Sequence, residues 1–371
     1  MVELREVITH KDLRTFIYLP EKIHKNHDSW LPPIYIDEWS FFNPKKNRAF
    51  AAADTLMLVA FNDGKAVGRI MGIIHHTYNL LRNEHHARFG YLECFNDTEV
   101  AHALLGRIEQ WAKDKGMVKV VGPYGFSDKD PQGFLIEGFE HMPIIDSACN
   151  FPYLISLVEH EGYTKEVDCM IYKMNLEKSM PILYERVQQR LESGNGYSIR
   201  EFTTRKQLKP WVVPILKIVN KTYGDLYGFV PMEQQEMVDF ANRYLTIIDP
   251  RYVKVVFSGN EPVAFIIGLP NFTPGIQKAK GRILPFGFIH ILRSIKRSRQ
   301  LDLMLGAVLP EHRGKGLEIS MTMKLIESCK KANMNTIEVH LVLETNTRML
   351  AELERAGAEF HKRFRVFQKM L

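Results

Sequence analysis

Two separate stretches of the chain show the same pattern of apolar and polar positions. Residues 58–73 (LVAFNDGKAVGRIMGI) and 254–269 (KVVFSGNEPVAFIIGL) each contain an apolar run, a polar turn and a second apolar run. This pattern predicts a β-hairpin in each stretch. At an offset of 196 residues the stretches share Val59/Val255, Phe61/Phe257, Val67/Val263, Ile70/Ile266 and Gly72/Gly268.

The elements that follow the two hairpins also repeat in order. In the first half, GYLECF predicts a strand, and helical spacing predicts a helix with Asn96 and Glu99 as its capping box. In the second half, LMLGAVLP and TIEVHLVLE predict strands on either side of a helix. Each half then ends in a short helix, a glycine and a strand closing on Lys-Met. The predicted apolar face of the second-half helix is Ile319, Met323, Ile326 and Cys329.

We therefore predict an α/β chain with mixed sheets, built from two copies of one α/β unit. The first copy covers residues 1–178 and the second covers 179–371, with a basic insertion at 271–300. No long Gly/Ser linker separates the copies, so we expect them to be packed together.

Composition narrows the class of protein. The 371 residues are 45% hydrophobic and 25% charged, which is typical of a globular chain of two domains. The N-terminus carries charges throughout, and no run reaches 18 apolar residues, so we expect a cytoplasmic protein without a membrane span. The net charge of +6 suits an anionic ligand but is too small to indicate nucleic acid as a partner. The cysteines lack C-x-x-C spacing, which favours free thiols.

A glycine-rich loop links the predicted strand and helix of the second half. The stretch VLPEHRGKGLEIS (308–320) places Arg313, Gly314, Lys315 and Gly316 at the start of the helix. Backbone N–H groups at a helix N-terminus bind anions, and glycine lets a ligand approach the backbone. The alternative is a plain glycine-rich turn. The spacing fits neither a Walker loop nor a dinucleotide fingerprint.

This loop resembles the acyl-CoA loop of the GCN5-related N-acetyltransferase (GNAT) superfamily, [Q/R]-x-x-G-x-[G/A], and matches it at Arg313 and Gly316. The order of elements, with a splayed fourth strand before the loop, is similar too. The chain also resembles bacterial tandem GNAT-like proteins. The resemblance implies two tandem GNAT-like acyl-CoA N-acyltransferase domains, the first degenerate and lacking the CoA loop. It implies acetyl-CoA or a longer acyl-CoA as cofactor, bound through Val308, Arg313, Gly314, Lys315, Gly316 and Asn346.

Two residues depart from the superfamily pattern. Glu318 stands where a small residue is expected, and its charge would repel a pyrophosphate unless it points away. Leu353 stands where many members carry a tyrosine that protonates the leaving thiolate. These departures leave open a catalytically silent module that binds CoA.

Three ionisable residues lie on one face of the strand TIEVHLVLE. Glu338, His340 and Glu344 alternate with apolar residues, and charges on a half-buried strand need partners. They are candidate catalytic residues, because transfer to an amine requires a proton acceptor. The alternatives are structural ion pairing or a wet cleft for the first two, and a turn or capping role for Glu344.

Two further segments bear on the acceptor. Residues 122–153 form a long predicted loop with acids that suit a cationic amine: Asp128, Asp130, Glu137, Glu140 and Asp146. The basic insertion contains an amphipathic stretch at 286–299, which suits peripheral contact with an anionic membrane or an ordinary surface helix. The acceptor is therefore a small-molecule amine or a lipid amine. The His75-His76 and His85-His86 pairs have no partners at ligand spacing, so no metal site is expected.

The leading hypothesis is an acyl-CoA-dependent N-acyltransferase that works by direct attack of an amine, since no serine or cysteine is placed by motif as a nucleophile. The alternatives are the silent CoA-binding or scaffold module and a long-chain N-acyltransferase acting on an aminolipid at the membrane surface.

Overall fold

The computed structural model describes residues 1–145, 147–178, 184, 186 and 196–371. Contacts divide the chain into two compact units. The first unit comprises residues 1–169, 272–294 and 362–371, and the second comprises 170–271 and 295–361. Asp146, one of the acids of the predicted acceptor loop, lies outside the described residues.

Regular elements up to the predicted boundary at 178 alternate between strands and helices. In chain order they are β1 (Glu3–Glu6), α1 (His10–Ile23), α2 (Tyr35–Phe41), β2 (Ala53–Asn62), β3 (Lys65–His75), α3 (His76–Arg82), β4 (His86–Cys94), α4 (Thr98–Asp114), β5 (Lys119–Gly122), β6 (Phe134–Glu137), α5 (Tyr153–His160) and β7 (Thr164–Asn175).

The elements after residue 195 begin with a strand and three helices before the second hairpin. They are β8 (Tyr197–Glu201), α6 (Arg205–Leu208), α7 (Val212–Thr222), α8 (Gln234–Tyr244), β9 (Val253–Ser258), β10 (Glu261–Pro270), α9 (Thr273–Lys278), α10 (Gly287–Arg297), β11 (Gln300–Val308), α11 (Leu317–Lys331), β12 (Thr336–Leu343), α12 (Thr347–Arg355) and β13 (Glu359–Met370).

The first unit has a mixed sheet in the order β1-β2-β3-β4-β5-β13, and β6 also pairs with β13. Strands β4 and β5 are parallel, while the other described pairs are antiparallel. Helix α4 packs Val100, Leu104 and Ile108 into the core formed on this sheet. Phe367, four residues from the chain end, is buried in the same core.

The second unit has the strand order β12-β11-β10-β9-β8. Strands β11 and β12 are parallel, and the pairs β11–β10, β10–β9 and β9–β8 are antiparallel. Val255, Phe257 and Phe265 on the hairpin, with Leu325 on α11, are fully buried. Because β11 and β12 are parallel, α11 connects them as a crossover helix. The glycine-rich loop lies where β11 ends and α11 begins.

The predicted α/β class is confirmed, and so is the repeat of elements. Both hairpins form, with Asn62 opposite Lys65 and Ser258 opposite Glu261 across the turns. Positive φ angles of 73° at Gly64 and 61° at Gly259 permit the tight turns. The glycines predicted to end the short helices, Gly162 and Gly357, also have positive φ, as a left-handed helix terminus requires.

Two local predictions were wrong. Helix α4 is capped by Asp97, not Asn96, since its carboxylate accepts from the amides of Glu99 and Val100 at 3.0 and 3.2 Å. The buried face of α11 is formed by Leu317, Met321, Leu325, Ile326 and Cys329, so Ile319 and Met323 of the predicted face are only half-buried.

The contact units and the predicted copies 1–178 and 179–371 divide the chain differently. Part of the basic insertion, residues 272–294, groups with the first unit, as do residues 362–371. The bounds of the two copies remain a prediction, whereas the units record which segments pack together. Residues 179–183, next to the predicted boundary, lie outside the described residues.

Candidate functional site

The glycine-rich loop has a backbone that only glycine adopts readily. After β11 the chain makes a short 3-10 turn at Pro310–His312, and Gly314 and Gly316 follow with φ of 74° and 80°. Gly316 is the N-cap of α11, and a side chain added at Gly314 would meet nothing within 4 Å. The loop backbone therefore faces open space at the start of a long helix.

The amides of this loop are the strongest feature of the site. The Arg313 amide donates to the Pro310 carbonyl at 3.3 Å, and the Ser320 amide donates to the Gly316 carbonyl at 3.1 Å. Within the described part of the chain, no group accepts a hydrogen bond from the amides of residues 314–319. These donors converge on the positive end of the helix dipole, which is an arrangement that binds anions.

Glu318, the residue that departs from the superfamily pattern, does not occupy these amides. Its carboxylate pairs with the Arg348 guanidinium of α12 at 3.1 Å, and Arg348 also contacts Glu352 at 3.3 Å. The pairing partly neutralises Glu318, so its charge does not exclude an anion from the loop.

The two predicted cations of the loop are held by neighbouring groups. Arg313 Nε donates to the Val308 carbonyl at 3.2 Å, which ties the loop to the end of β11. Lys315 Nζ donates to the Tyr197 hydroxyl at 2.8 Å, and this hydroxyl also lies 2.8 Å from His312 Nδ1. Tyr197 was not predicted, because its distance of more than a hundred residues from the loop leaves no local signal.

Strands β11 and β12 separate before the loop. They pair from Gln300/Thr336 to Leu303/Val339, although the strands continue to Val308 and Leu343. Gly306 of β11 is exposed in the unpaired part. The predicted splay of the fourth strand is thus confirmed, and it leaves the part of β11 next to the glycine-rich loop unpaired with β12.

A tyrosine hydroxyl lies against this open strand. Tyr223, which follows α7, donates to the Gly306 carbonyl at 3.0 Å and lies 3.4 Å from the Gly306 amide. Sequence reasoning missed this residue, since the superfamily pattern directs attention to the position of Leu353. Leu353 is buried and carries no group that could donate a proton.

Glu338 lies in a buried polar cluster rather than in an open cleft. Only 1% of the residue is exposed, and the Gln300 amide donates to its carboxylate at 2.9 Å. The same Gln300 nitrogen donates to Asp302 at 2.8 Å, and Asp302 is the register partner of Glu338. Lys173 Nζ at 3.9 Å and His361 Nε2 at 3.6 Å approach the Glu338 carboxylate from other strands.

The other predicted site residues lie further along the chain. His340 is half-buried on β12 beyond the last described β11 pair, and Glu344 is in the turn after β12. The Asn346 side chain caps α12 by accepting from the Met349 amide at 3.3 Å. The catalytic roles of Glu338, His340 and Glu344 and the ligand role of Asn346 remain predictions.

The first unit treats the corresponding positions differently. The Asp97 carboxylate occupies the amides at the start of α4, where the second unit leaves its own amides open. The Tyr153 hydroxyl donates to the Cys94 carbonyl at 2.8 Å, and the Tyr124 amide donates to the Phe89 carbonyl at 2.8 Å. The Phe89 and Cys94 carbonyls of β4 are therefore satisfied by the unit's own groups.

Several ionisable groups of the first unit escaped sequence reasoning. Burial raises the pKa of Glu38 to about 7, against the opposing effect of Arg69. Burial likewise raises the pKa of Asp130 to about 6, although the Ser127 amide donates to its carboxylate at 3.2 Å. Asp130 was included among the loop acids, whereas Glu38 on α2 carries no local signal.

Comparisons with known proteins define the fold. No family model matches the chain. Protein YghO of Escherichia coli K12 is 26% identical over 99% of this chain and 95% of its own length. Bacterial ceramide synthase of Caulobacter vibrioides is 27% identical over 98% of this chain and 96% of its own length. A solved tandem GNAT protein from the clavulanic acid biosynthesis pathway superposes with a TM-score of 0.56 at 12% identity, covering 100% of this chain and 98% of its own.

The chain therefore has the tandem GNAT fold, which confirms the predicted fold class and the resemblance stated from the sequence. The glycine-rich loop and the splayed strands lie in the second unit of this fold.

Replacing Gln300 tests the buried cluster. In Gln300→Leu the carboxylates of Asp302 and Glu338 lose a shared donor, so we expect the free energy of unfolding to fall by about 2 kcal/mol. Gln235→Leu, on the exposed face of α8, is the matched control and should change it by less than about 0.5 kcal/mol. Urea denaturation measures both. Equal stability of the two variants would show that Gln300 does not bridge the carboxylates.

Proposed function

We propose that the protein is an acyl-CoA-dependent N-acyltransferase. The observation that carries this proposal is the set of open amides at residues 314–319, at the start of α11 and beside the splayed strands. Such amides suit the diphosphate of CoA, and the part of β11 that is not paired with β12 suits an extended pantetheine arm. Acyl-CoA supplies an acyl group activated as a thioester.

The side chains near the splay determine what chemistry is available. An amine must lose a proton to attack, and Glu338 or His340 on β12 can accept it directly or through water. The Tyr223 hydroxyl, which contacts Gly306 of β11, is a phenol that can donate a proton to a leaving thiolate, a role that Leu353 cannot fill. Burial raises the pKa of Cys329 to about 12, so this thiol is a poor nucleophile and direct attack is favoured.

We further propose that the acceptor is a lipid amine. A ceramide is a long-chain amino alcohol acylated on nitrogen, and the relative named bacterial ceramide synthase aligns with nearly the whole chain. A small polar amine remains the alternative, but the surface of the first unit around α10 favours a lipid.

Four large apolar side chains are exposed on and before α10. They are Leu284 (69% exposed), Phe286 (70%), Phe288 (41%) and Leu292 (60%). Residues 271–301 contain seven Lys or Arg and no Asp or Glu. An apolar face rimmed by cations is the pattern of a helix that lies on an anionic membrane. Among the helices of the described residues, none combines the length and apolarity needed to cross a bilayer.

Polar contacts hold this segment on the first unit. Arg282 binds Glu21 of α1 with distances of 2.9 and 3.1 Å, and Gln277 donates to the Asp28 carbonyl at 2.6 Å. The Tyr35 amide of α2 donates to the Gly281 carbonyl at 3.1 Å. These contacts fix one side of the segment on the first unit. The four apolar side chains remain in solvent, and their transfer into lipid would be favourable.

An assay of thiol release tests the enzymatic proposal. With long-chain acyl-CoA and a long-chain amine, we expect amine-dependent release of CoA. Tyr223→Phe and Glu338→Gln should each lower kcat about 100-fold, the usual effect of losing a general acid or base. Glu354→Gln, an exposed glutamate of α12, should match the wild type. Binding of acyl-CoA without thiol release by the wild type would identify the silent CoA-binding module instead.

The Glu318–Arg348 pair gives a test of the loop that does not depend on turnover. Arg348→Ala leaves the Glu318 carboxylate unpaired near the diphosphate, and we expect CoA to bind about fivefold more weakly, equivalent to about 1 kcal/mol. The double variant Glu318→Gln/Arg348→Ala should regain the wild-type Kd, and Arg355→Ala is the control on the same helix. Isothermal titration measures each Kd. Failure of the double variant to recover would contradict diphosphate binding at this loop.

Vesicle co-sedimentation tests the lipid surface. We expect binding to vesicles containing phosphatidylglycerol and at least a tenfold loss in Phe286→Ser/Leu292→Ser, because each large apolar side chain contributes about 1.5–3 kcal/mol when buried. Arg293→Glu/Lys296→Glu should lose binding at low salt. Leu80→Ser/Leu81→Ser removes two exposed leucines of α3 and should bind as wild type. A protein that stays in the supernatant at low salt would refute this surface.

A further inference from the structure

The contact between Tyr223 and Gly306 bears on how a ligand reaches the splayed strand. In the order β12-β11-β10, β10 pairs along one edge of β11, and β12 leaves the other edge after Leu303. Gly306 lies beyond that point. Its carbonyl accepts from the Tyr223 hydroxyl at 3.0 Å, and its amide lies 3.4 Å from the same oxygen. One hydroxyl therefore serves both polar main-chain groups of a strand residue.

These two contacts are the ones that a neighbouring strand would make. A residue of a β-strand points its N–H and C=O to the same edge, and in an antiparallel pair it exchanges both hydrogen bonds with one partner residue. Tyr223 supplies the same donor and acceptor through a single oxygen, because a phenolic hydroxyl both donates and accepts. Tyr223 thus takes the place of a strand neighbour at Gly306.

Other contacts hold the backbone around Tyr223. Tyr223 follows α7, and the Leu226 amide donates to its carbonyl at 2.8 Å. The Asn220 side chain donates to the Met232 carbonyl at 2.8 Å and accepts from the Met232 amide at 3.0 Å. Phe229 is buried, and its ring meets the Tyr223 ring edge-on with centroids 6.0 Å apart. Because the backbone is fixed, the hydroxyl can leave by rotation of the half-buried Tyr223 side chain alone.

We propose that Tyr223 is a specificity-determining residue that the pantetheine arm of acyl-CoA displaces from Gly306. This inference rests on the proposed function, the binding of acyl-CoA at the glycine-rich loop. The arm is extended and carries two amide groups, so it can return a donor to the Gly306 carbonyl and an acceptor to the Gly306 amide. A ligand that fills the loop without such an arm leaves Tyr223 in place. Tyr223 thereby distinguishes CoA from a nucleotide that shares only its diphosphate.

The displacement also frees the phenolic hydrogen when it is needed. While Tyr223 donates to Gly306, its hydrogen is engaged by the carbonyl. The arm that displaces the hydroxyl ends in the thioester, so the same event brings the substrate and releases the proton donor. The phenol then transfers its proton to the thiolate sulfur, which leaves as the free thiol of CoA, and solvent reprotonates the phenolate.

Isothermal titration with CoA and with ADP tests the displacement. Tyr223→Phe keeps the ring on Phe229 but removes the competing hydroxyl. We expect this variant to bind CoA about fivefold more tightly, since a hydrogen bond no longer has to be broken. ADP has the diphosphate but no arm, so its affinity should match that of the wild type. Thr222→Val removes the neighbouring hydroxyl, which donates to the Ile218 carbonyl at 2.8 Å, and should change neither affinity.

Steady-state kinetics provides a separate readout. Loss of the competing contact should lower the KM for acyl-CoA about fivefold in Tyr223→Phe, while loss of the proton donor lowers kcat. A tyrosine that only stabilises its loop would instead raise KM or leave both constants unchanged.

Carbon NMR of the wild-type protein labelled at the tyrosine ζ-carbon follows the hydroxyl directly. The Tyr223 signal, identified by its absence from Tyr223→Phe, should move on addition of CoA and stay in place with ADP. Equal CoA affinity in the wild type and Tyr223→Phe, an equal gain in Thr222→Val, or a Tyr223 signal that CoA leaves unmoved would overturn the inference and leave acyl-CoA binding intact. Absence of CoA binding to the wild type would instead refute the proposed function, and this inference with it.

Discussion

Unsatisfied N–H groups at the start of a helix must find an acceptor, and the chain solves this constraint in two ways. In the first unit Asp97 supplies a carboxylate to the amides of α4. In the second unit two glycines of positive φ precede α11, and no group of the described residues accepts from the amides of residues 314–319. The proposal of acyl-CoA binding depends on this difference between the two strand–helix connections.

Charge placement around the second helix supports the same conclusion. A glutamate in the first turn stabilises a helix through its dipole, yet the same charge would repel a diphosphate. Arg348 of α12 reconciles the two demands by pairing with Glu318. A similar principle applies between β11 and β12, where Gln300 donates to the carboxylates of Asp302 and Glu338, whose mutual repulsion would otherwise be costly.

The features that were predicted correctly from the sequence are those that a local pattern of residues determines. Hairpin alternation located β2/β3 and β9/β10, and the glycine spacing located the loop, because turns and helix starts depend on neighbours in sequence. The partners that define the sites could not be predicted. Tyr223 meets Gly306, and Glu93 meets His24, only after strands and helices distant in sequence have packed. The capping error at Asn96 arose where two adjacent residues both suit the cap.

The placement of residues 362–371 within the first unit has a consequence for biosynthesis. Phe367 belongs to the core that α4 forms with β2, β3 and β4, and the end of β13 pairs with β5. N-terminal domains commonly fold while the ribosome is still extending the chain. Here the sheet of the first unit stays incomplete until residues 362–371 have been made, so part of its apolar interior is exposed while residues 170–361 are translated, and a truncation before residue 362 would damage the part made first.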